Sequence, residues 1–241
     1  MKGMQLLTVA LLKILVPFKS TNSNKNLHAD YIFPESESDI FVLVIHGYTS
    51  SPRGMAMYAK KYNELGYNVI LPSLNGHADS EQGTVTMGWN DRLDVIDWIN
   101  FIVEHYPESK IILHGVSMGG ATTMMTTGEE LPENVVLAIE DCGFVGVKEI
   151  FTDRCKRKYH LPPKLVMPQA SLINKLVNGF FFGQANCIKQ LKKSKTPTLF
   201  IHGDKDDFVL PENLDKVYAA CAAEKEKYVI KGAEHAVSSH W

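Results

Sequence analysis

The chain has 241 residues, 25 basic against 27 acidic side chains and a formal net charge of −2. That length suits one α/β domain with an inserted element, and the charge balance argues against a nucleic-acid partner, which calls for a basic excess. Cys142, Cys155, Cys187 and Cys221 are scattered with no disulfide framework, so reduced thiols and a cytoplasmic location are expected.

At the N-terminus, Met4 to Val16 is apolar apart from Gln5, Thr8 and Lys13, too short a run to span a bilayer. Lys13 and the lack of a small-residue cleavage site speak against a signal peptide. Met4, Leu7, Leu11, Ile14 and Leu15 share one helical face. The expectation is a helix packed on the body or lying on a membrane surface, the second giving peripheral membrane contact. Ser20 to Asn26 is polar and reads as a linker, so residues 1–26 stand apart from the domain.

The core follows. Ile40–Ile45 is an apolar run of strand length, running into His46-Gly47-Tyr48-Thr49. Pro52–Leu65 reads as a helix stopped by Gly66, Tyr67–Leu71 as a strand, and Trp89, Leu93, Ile96 and Val103 as one face of a helix ending before Pro107. Lys110–His114 is a strand. It meets Gly115-Val116-Ser117-Met118-Gly119, then a helix of small residues. Val135–Glu140 is a strand, with Asp141 at its end. Thr198–Gly203 is a strand leading into Asp204-Lys205-Asp206-Asp207. A helix near Glu212–Ala223 and a strand Lys227–Ile230 lead to His235. Strands alternating with helices specify a doubly wound, mainly parallel sheet.

Gly-x-Ser-x-Gly between a strand and a helix marks a sharp turn that lifts a serine hydroxyl above the sheet. A Cβ at position 115 or 119 would clash with the neighbouring strand and helix. Serine, acid and histidine then come in that chain order, each just past a strand's C-terminal end, where sites form in doubly wound sheets. No His-x-x-x-His or Cys-x-x-Cys spacing and no glycine-rich nucleotide loop occurs, so no metal and no cofactor are expected.

The four motifs His46–Thr49, Gly115–Gly120 (Gly-Val-Ser-Met-Gly-Gly), His202–Asp206 (His-Gly-Asp-Lys-Asp) and His235 resemble the α/β-hydrolase family, and within it bacterial capped serine hydrolases of esterase and lysophospholipase type. The likeness runs from about Asp39 to Ser239. It implies Ser117 as nucleophile, His235 as base and a carboxylate to orient it. The family pattern His-Gly-x-x-Asp-x-x-Val selects Asp206, with Asp204, Asp207 and Asp141 as alternatives and His240 as a rival base. It implies oxyanion donors at the Tyr48 and Met118 backbone N–H groups. His46, His114 and His202 are expected to pack or hydrogen-bond at strand ends.

The resemblance implies a small-molecule acyl ester as substrate, with a catalytically inactive binding protein or a peptidase or thioesterase of the same fold as alternatives. Residues 143–194 are too long for a plain loop and read as a helical cap between core segments 27–142 and 195–241. Phe180-Phe181-Phe182 either lines an acyl pocket or forms cap core. Arg154, Lys156, Arg157 and Lys158 make a basic cluster, either a solvated face or a contact for an anionic substrate or membrane. Two features depart from the family pattern. Asn75-Gly76-His77-Ala78 replaces Arg-Gly-His-Gly, and the sequence stops at Trp241, six residues past His235, where relatives continue into a helix that covers the sheet.

Overall fold

The structure, a computed structural model, describes residues 12–22, 24–77, 80 and 83–238, with 12–18 by backbone alone. Its first strands, β1 (Leu12–Lys19) and β2 (Asn26–Ile32), pair antiparallel. This corrects two expectations: residues 12–19 are strand, not helix, and the polar stretch from Ser20 is the short connection of a hairpin, not a linker. The helical spacing of apolar residues was outweighed by a β-branched, extended run, Leu12-Lys13-Ile14-Leu15-Val16. Pro17 has no N–H for a ladder. It lies where the β1–β2 register shifts, between Ile14 and Phe18, and on the edge strand, where proline is tolerated. Residues 1–11 of the apolar segment lie outside the described residues.

Six further strands follow: β3 (Ile40–Ile45), β4 (Asn68–Pro72), β5 (Lys110–Val116), β6 (Val135–Asp141), β7 (Thr198–Gly203) and β8 (Lys225–Ile230). The sheet runs in the order β1-β2-β4-β3-β5-β6-β7-β8, antiparallel at β1–β2 and β2–β4 and parallel elsewhere. The expected doubly wound, mainly parallel α/β fold is what forms.

Both faces of β3 are buried, and its alternation divides the core. Phe41, Leu43 and Ile45 join a cluster with Val95, Ile99 and Met124, whereas Val42 and Val44 face a smaller cluster with Met55, Tyr58 and Ala59. The smaller cluster is covered by a 3-10 turn (Pro52–Met55) and α1 (Ala56–Glu64), the larger by α2 (Asp91–His105), α3 (Met118–Thr126) and α7 (Glu212–Ala220). Beside α1, a groove of 710 Å³ over β5, β7 and β8 is lined by Tyr62, His114, Tyr228 and Val229.

Between β6 and β7 the chain forms α4 (Val147–Arg157), α5 (Pro163–Asn178) and α6 (Cys187–Leu191). In α6, Cys187 and Leu191 are buried in the large core cluster, and the Cys187 thiol bonds the Ala121 carbonyl. α6 thus belongs to the core, and so do Val147 and Ile150 of α4, which are buried in the same cluster. α5 buries no residue and presents Leu165, Leu172 and Leu176 to solvent. Phe180 and Phe182 are buried against Trp89 and Phe151, so those two rings form core.

Candidate active site

The Gly115–Gly119 turn brings β5 and α3 into such close approach that side chains have no room. A Cβ on Gly115 would run into the Gly119 backbone, and one on Gly119 into the Ile45 carbonyl. The turn holds Ser117 at φ 57° and ψ −114°, a strained conformation for a residue with a Cβ. Its N–H donates to the Asp141 carbonyl at 2.7 Å, fixing the turn against the end of β6.

Ser117 Oγ lies 2.8 Å from His235 Nε2, and His235 Nδ1 lies 2.7 Å from Asp206 Oδ2. Three residues separated by 29 and 118 positions thus meet in one hydrogen-bonded line. Asp206 is buried. Its Oδ1 accepts the Phe208 and Val209 N–H groups at 2.9 and 2.8 Å. Its Oδ2 also faces His202 Nε2 at 3.2 Å. Burial alone would raise the carboxyl pKa. The hydrogen bonds from His202 and His235, the charge of His235 and the Val209 N–H outweigh it and hold the group well below the usual carboxylate range. Desolvation depresses the His202 pKa, and its bonds to Asp206 and the Val209 carbonyl more than reverse that, leaving it raised.

The other acids lie elsewhere. Asp204 and Asp207 are exposed; Asp204 accepts the Gly232 N–H. Asp141 is buried, raised by desolvation, and bonded to the hydroxyls of Tyr58 and Ser238 rather than to His235. His240 lies outside the described residues. Cys142, Asp206 and His235 offer ligand atoms within 4.8 Å of one another, a spacing a metal ion could use. Burial and neighbouring carboxylates push the Cys142 thiol pKa well up.

Tyr48 and Met118 both line the cavity above Ser117. Met118 opens α3, so its N–H has no acceptor within the helix. A Cβ on Gly47 would meet Ser117 Cβ at 3.3 Å, which shows how closely the loop carrying Tyr48 approaches the serine. Sequence reasoning missed what holds that loop. His77 Nε2 accepts the Thr49 N–H at 3.2 Å, and its Nδ1 faces the Asn75 carbonyl at 2.9 Å, so the proton is on Nδ1. His46 behaves alike: Leu74 N–H donates to Nε2, and Nδ1 donates to the Gly47 carbonyl. Burial lowers its pKa to about 4. His114 bonds the Tyr62 hydroxyl, and burial lowers its pKa to about 4 as well. In the departing loop, the Asn75 backbone N–H donates to Asp91 and its side-chain NH2 to Asp94.

The cavity measures 620 Å³, in the range of small-molecule sites. Val85, Met87 and Phe144 give it apolar walls, and Ile150, Phe151 and Arg154 of α4 close one side. Phe208 was not foreseen. Its ring lies 4.8 Å from the His235 imidazole.

The sequence matches the family described as serine aminopeptidase, S33, over residues 36–177 and 163–239. The chain belongs to this hydrolase family. Among similar proteins, the uncharacterized YqkD of Bacillus subtilis is 25% identical over 198 residues, covering 82% of this chain and 65% of that protein. The chain thus spans about two thirds of YqkD. The thermostable monoacylglycerol lipase of Bacillus sp. H-257 is 25% identical over 238 residues, covering 84% and 85%. The structure of the Pyrococcus furiosus esterase Pf2001 superposes with a TM-score of 0.75 at 21% identity, over 98% of this chain and 88% of that one. That likeness establishes the shared fold. Among the described residues, no helix is long and apolar enough to cross a membrane.

Proposed function

We propose that this S33 family member cleaves carboxylic esters through an acyl-enzyme on Ser117. The supporting observation is the continuous Ser117–His235–Asp206 hydrogen-bond line beneath a mostly apolar cavity. Ser117 Oγ attacks the ester carbonyl carbon, and its proton passes to His235 Nε2. The oxyanion that forms is stabilised by the Tyr48 and Met118 N–H groups. The carbon–oxygen bond to the alcohol breaks, and His235 returns the proton to the departing oxygen. Water then repeats the sequence on the acyl-enzyme. Asp206 fixes the imidazole tautomer and stabilises its charged form. Helix α4 serves as the cap that closes one side of this cavity.

An aminopeptidase, the activity for which the family is named, must hold a substrate ammonium. Among the described residues the lining of this cavity carries Arg154 and Lys158 and no carboxylate, which favours an ester over a free-amine peptide. The deciding experiment is a p-nitrophenyl ester series, acetate to palmitate, on wild type and Ser117→Ala, with fluorophosphonate labelling of both. Serine-dependent turnover and labelling are expected. A folded wild type that neither labels nor turns over any ester would favour an inactive binding protein.

A further inference from the structure

The triad leaves two charged side chains of its own cavity unused, Arg154 and Lys158. Arg154 is half-buried, with its guanidinium carbon 4.4 Å above the Phe208 ring. The same ring lies 4.8 Å from the His235 imidazole, so the cation stands one ring away from the catalytic base. Its neighbour Arg157 is bound to Asp153 at 2.8 Å. Arg154 has no carboxylate partner among the described residues; its recorded contact is the aromatic face. Lys158, exposed at the mouth, likewise lies over Tyr159. A half-buried guanidinium that loses water without gaining an anion is incompletely satisfied, and its planar fork matches phosphate and carboxylate oxygens.

Direction follows from the reaction. His235 gives its proton to the departing alcohol oxygen, so the alcohol part of the substrate lies on the imidazole side, where Phe208 and Arg154 stand. We propose that Arg154, assisted by Lys158, binds an anionic group, phosphate or carboxylate, carried on the alcohol part of the ester. The proposal rests on the ester-hydrolase reading only for the direction of the substrate.

Binding of uncleavable ethers tests it without turnover. Isothermal calorimetry would compare hexyl glycerol ether, its phosphate monoester and the hexyl ether of glyceric acid. The anionic ethers are expected to bind at least about tenfold more tightly than the neutral one, a difference of about 1.4 kcal/mol, and whichever anion binds tighter identifies the group. Arg154→Gln should abolish that ratio and Arg154→Lys should keep part of it. Lys156→Gln, which removes an exposed charge of the same helix outside the cavity, should leave it intact. Equal affinity of all three ethers for wild type overturns the proposal, as does a ratio that survives Arg154→Gln or falls equally in Lys156→Gln. Failure of ester turnover, measured separately, would strike the ester-hydrolase reading and leave an observed anion ratio standing.

Discussion

Replacing Asp206 with Asn keeps the shape of the side chain and removes its charge. Oδ1 accepts two backbone N–H groups, from Phe208 and Val209, so the amide must keep its oxygen there and place its NH2 where Oδ2 was. That NH2 then faces two imidazole nitrogens. His202 Nε2 also faces the Val209 carbonyl at 2.8 Å, so it keeps its proton. His235 has no such second acceptor on Nδ1. It is forced to accept from the amide at Nδ1 and carry its proton on Nε2, the nitrogen that must take the proton from Ser117. Wrong-tautomer catalysis of this kind costs on the order of 10³–10⁴ in kcat, about 4–5.5 kcal/mol. The assay is p-nitrophenyl butyrate turnover, with the thermal midpoint recorded to establish folding. Asp204→Asn and Asp207→Asn should stay within a few-fold of wild type. A folded Asp206→Asn within tenfold of wild type would refute the reasoning, and a larger loss in Asp141→Asn would move the acid role to β6.

Gly119→Ala should fail to give stable soluble protein, because its Cβ meets backbone at Ile45 and His46 that no rotamer can clear; a thermal midpoint close to wild type would disprove the close approach. His77→Ala should lower kcat about tenfold with little change in KM, since it frees the Thr49 N–H beside the proposed Tyr48 donor. An effect confined to KM would count against that role. Glu140 is fully buried, and desolvation raises its pKa from 4.5 to about 7 despite the His202 charge and the Gly143 N–H. The protonated form is thus favoured by folding, so this group's contribution is fully present below about pH 4.5 and is lost as pH rises to 7. Glu140→Gln should therefore gain stability relative to wild type between about pH 5 and 8, by roughly 2–3 kcal/mol. Denaturant titration at both pH values reads this, and a constant difference would show that Glu140 does not titrate there.

Most of the parallel core was legible because its strands are buried on both faces and read as continuous apolar runs such as Ile40–Ile45. The elbow was legible because Gly115 is forced by Gly119 within the same short motif, although Gly119 itself is forced by the distant Ile45 backbone. The N-terminal hairpin was not. Its first strand mixes apolar positions that fit both periods, and only pairing with β2 decides between them. The loop after β4 was readable as a departure from the family pattern, but not as the support of the Thr49 N–H, because that bond joins positions 28 apart. Phe208 lies two residues past Asp206, and nothing local tells an acid-turn aromatic that stacks on the base from one that simply faces solvent.

The choice among acids was open in the sequence because type and spacing do not decide it; surroundings do. Glu140 and Asp141 end β6, Asp206 follows β7, and all three are buried. Around the first two, desolvation prevails and raises both pKa values. Around Asp206 the His202 and His235 rings and two backbone N–H groups point at the carboxylate, and they prevail. A group that must stabilise an imidazolium has to stay ionised throughout the working pH range, and among these three only Asp206 has the donors to do so. Glu140 and Asp141 are instead bound to local N–H and hydroxyl groups at Gly143, Tyr58 and Ser238. Glu140 fixes the turn that follows β6, and the Asp141–Ser238 bond ties down the C-terminal segment three residues beyond His235. One layer of buried acids thus separates into a carboxylate held ionised beside His235, as the proposed orienter of that imidazole must be, and two that bond neighbouring N–H and hydroxyl groups.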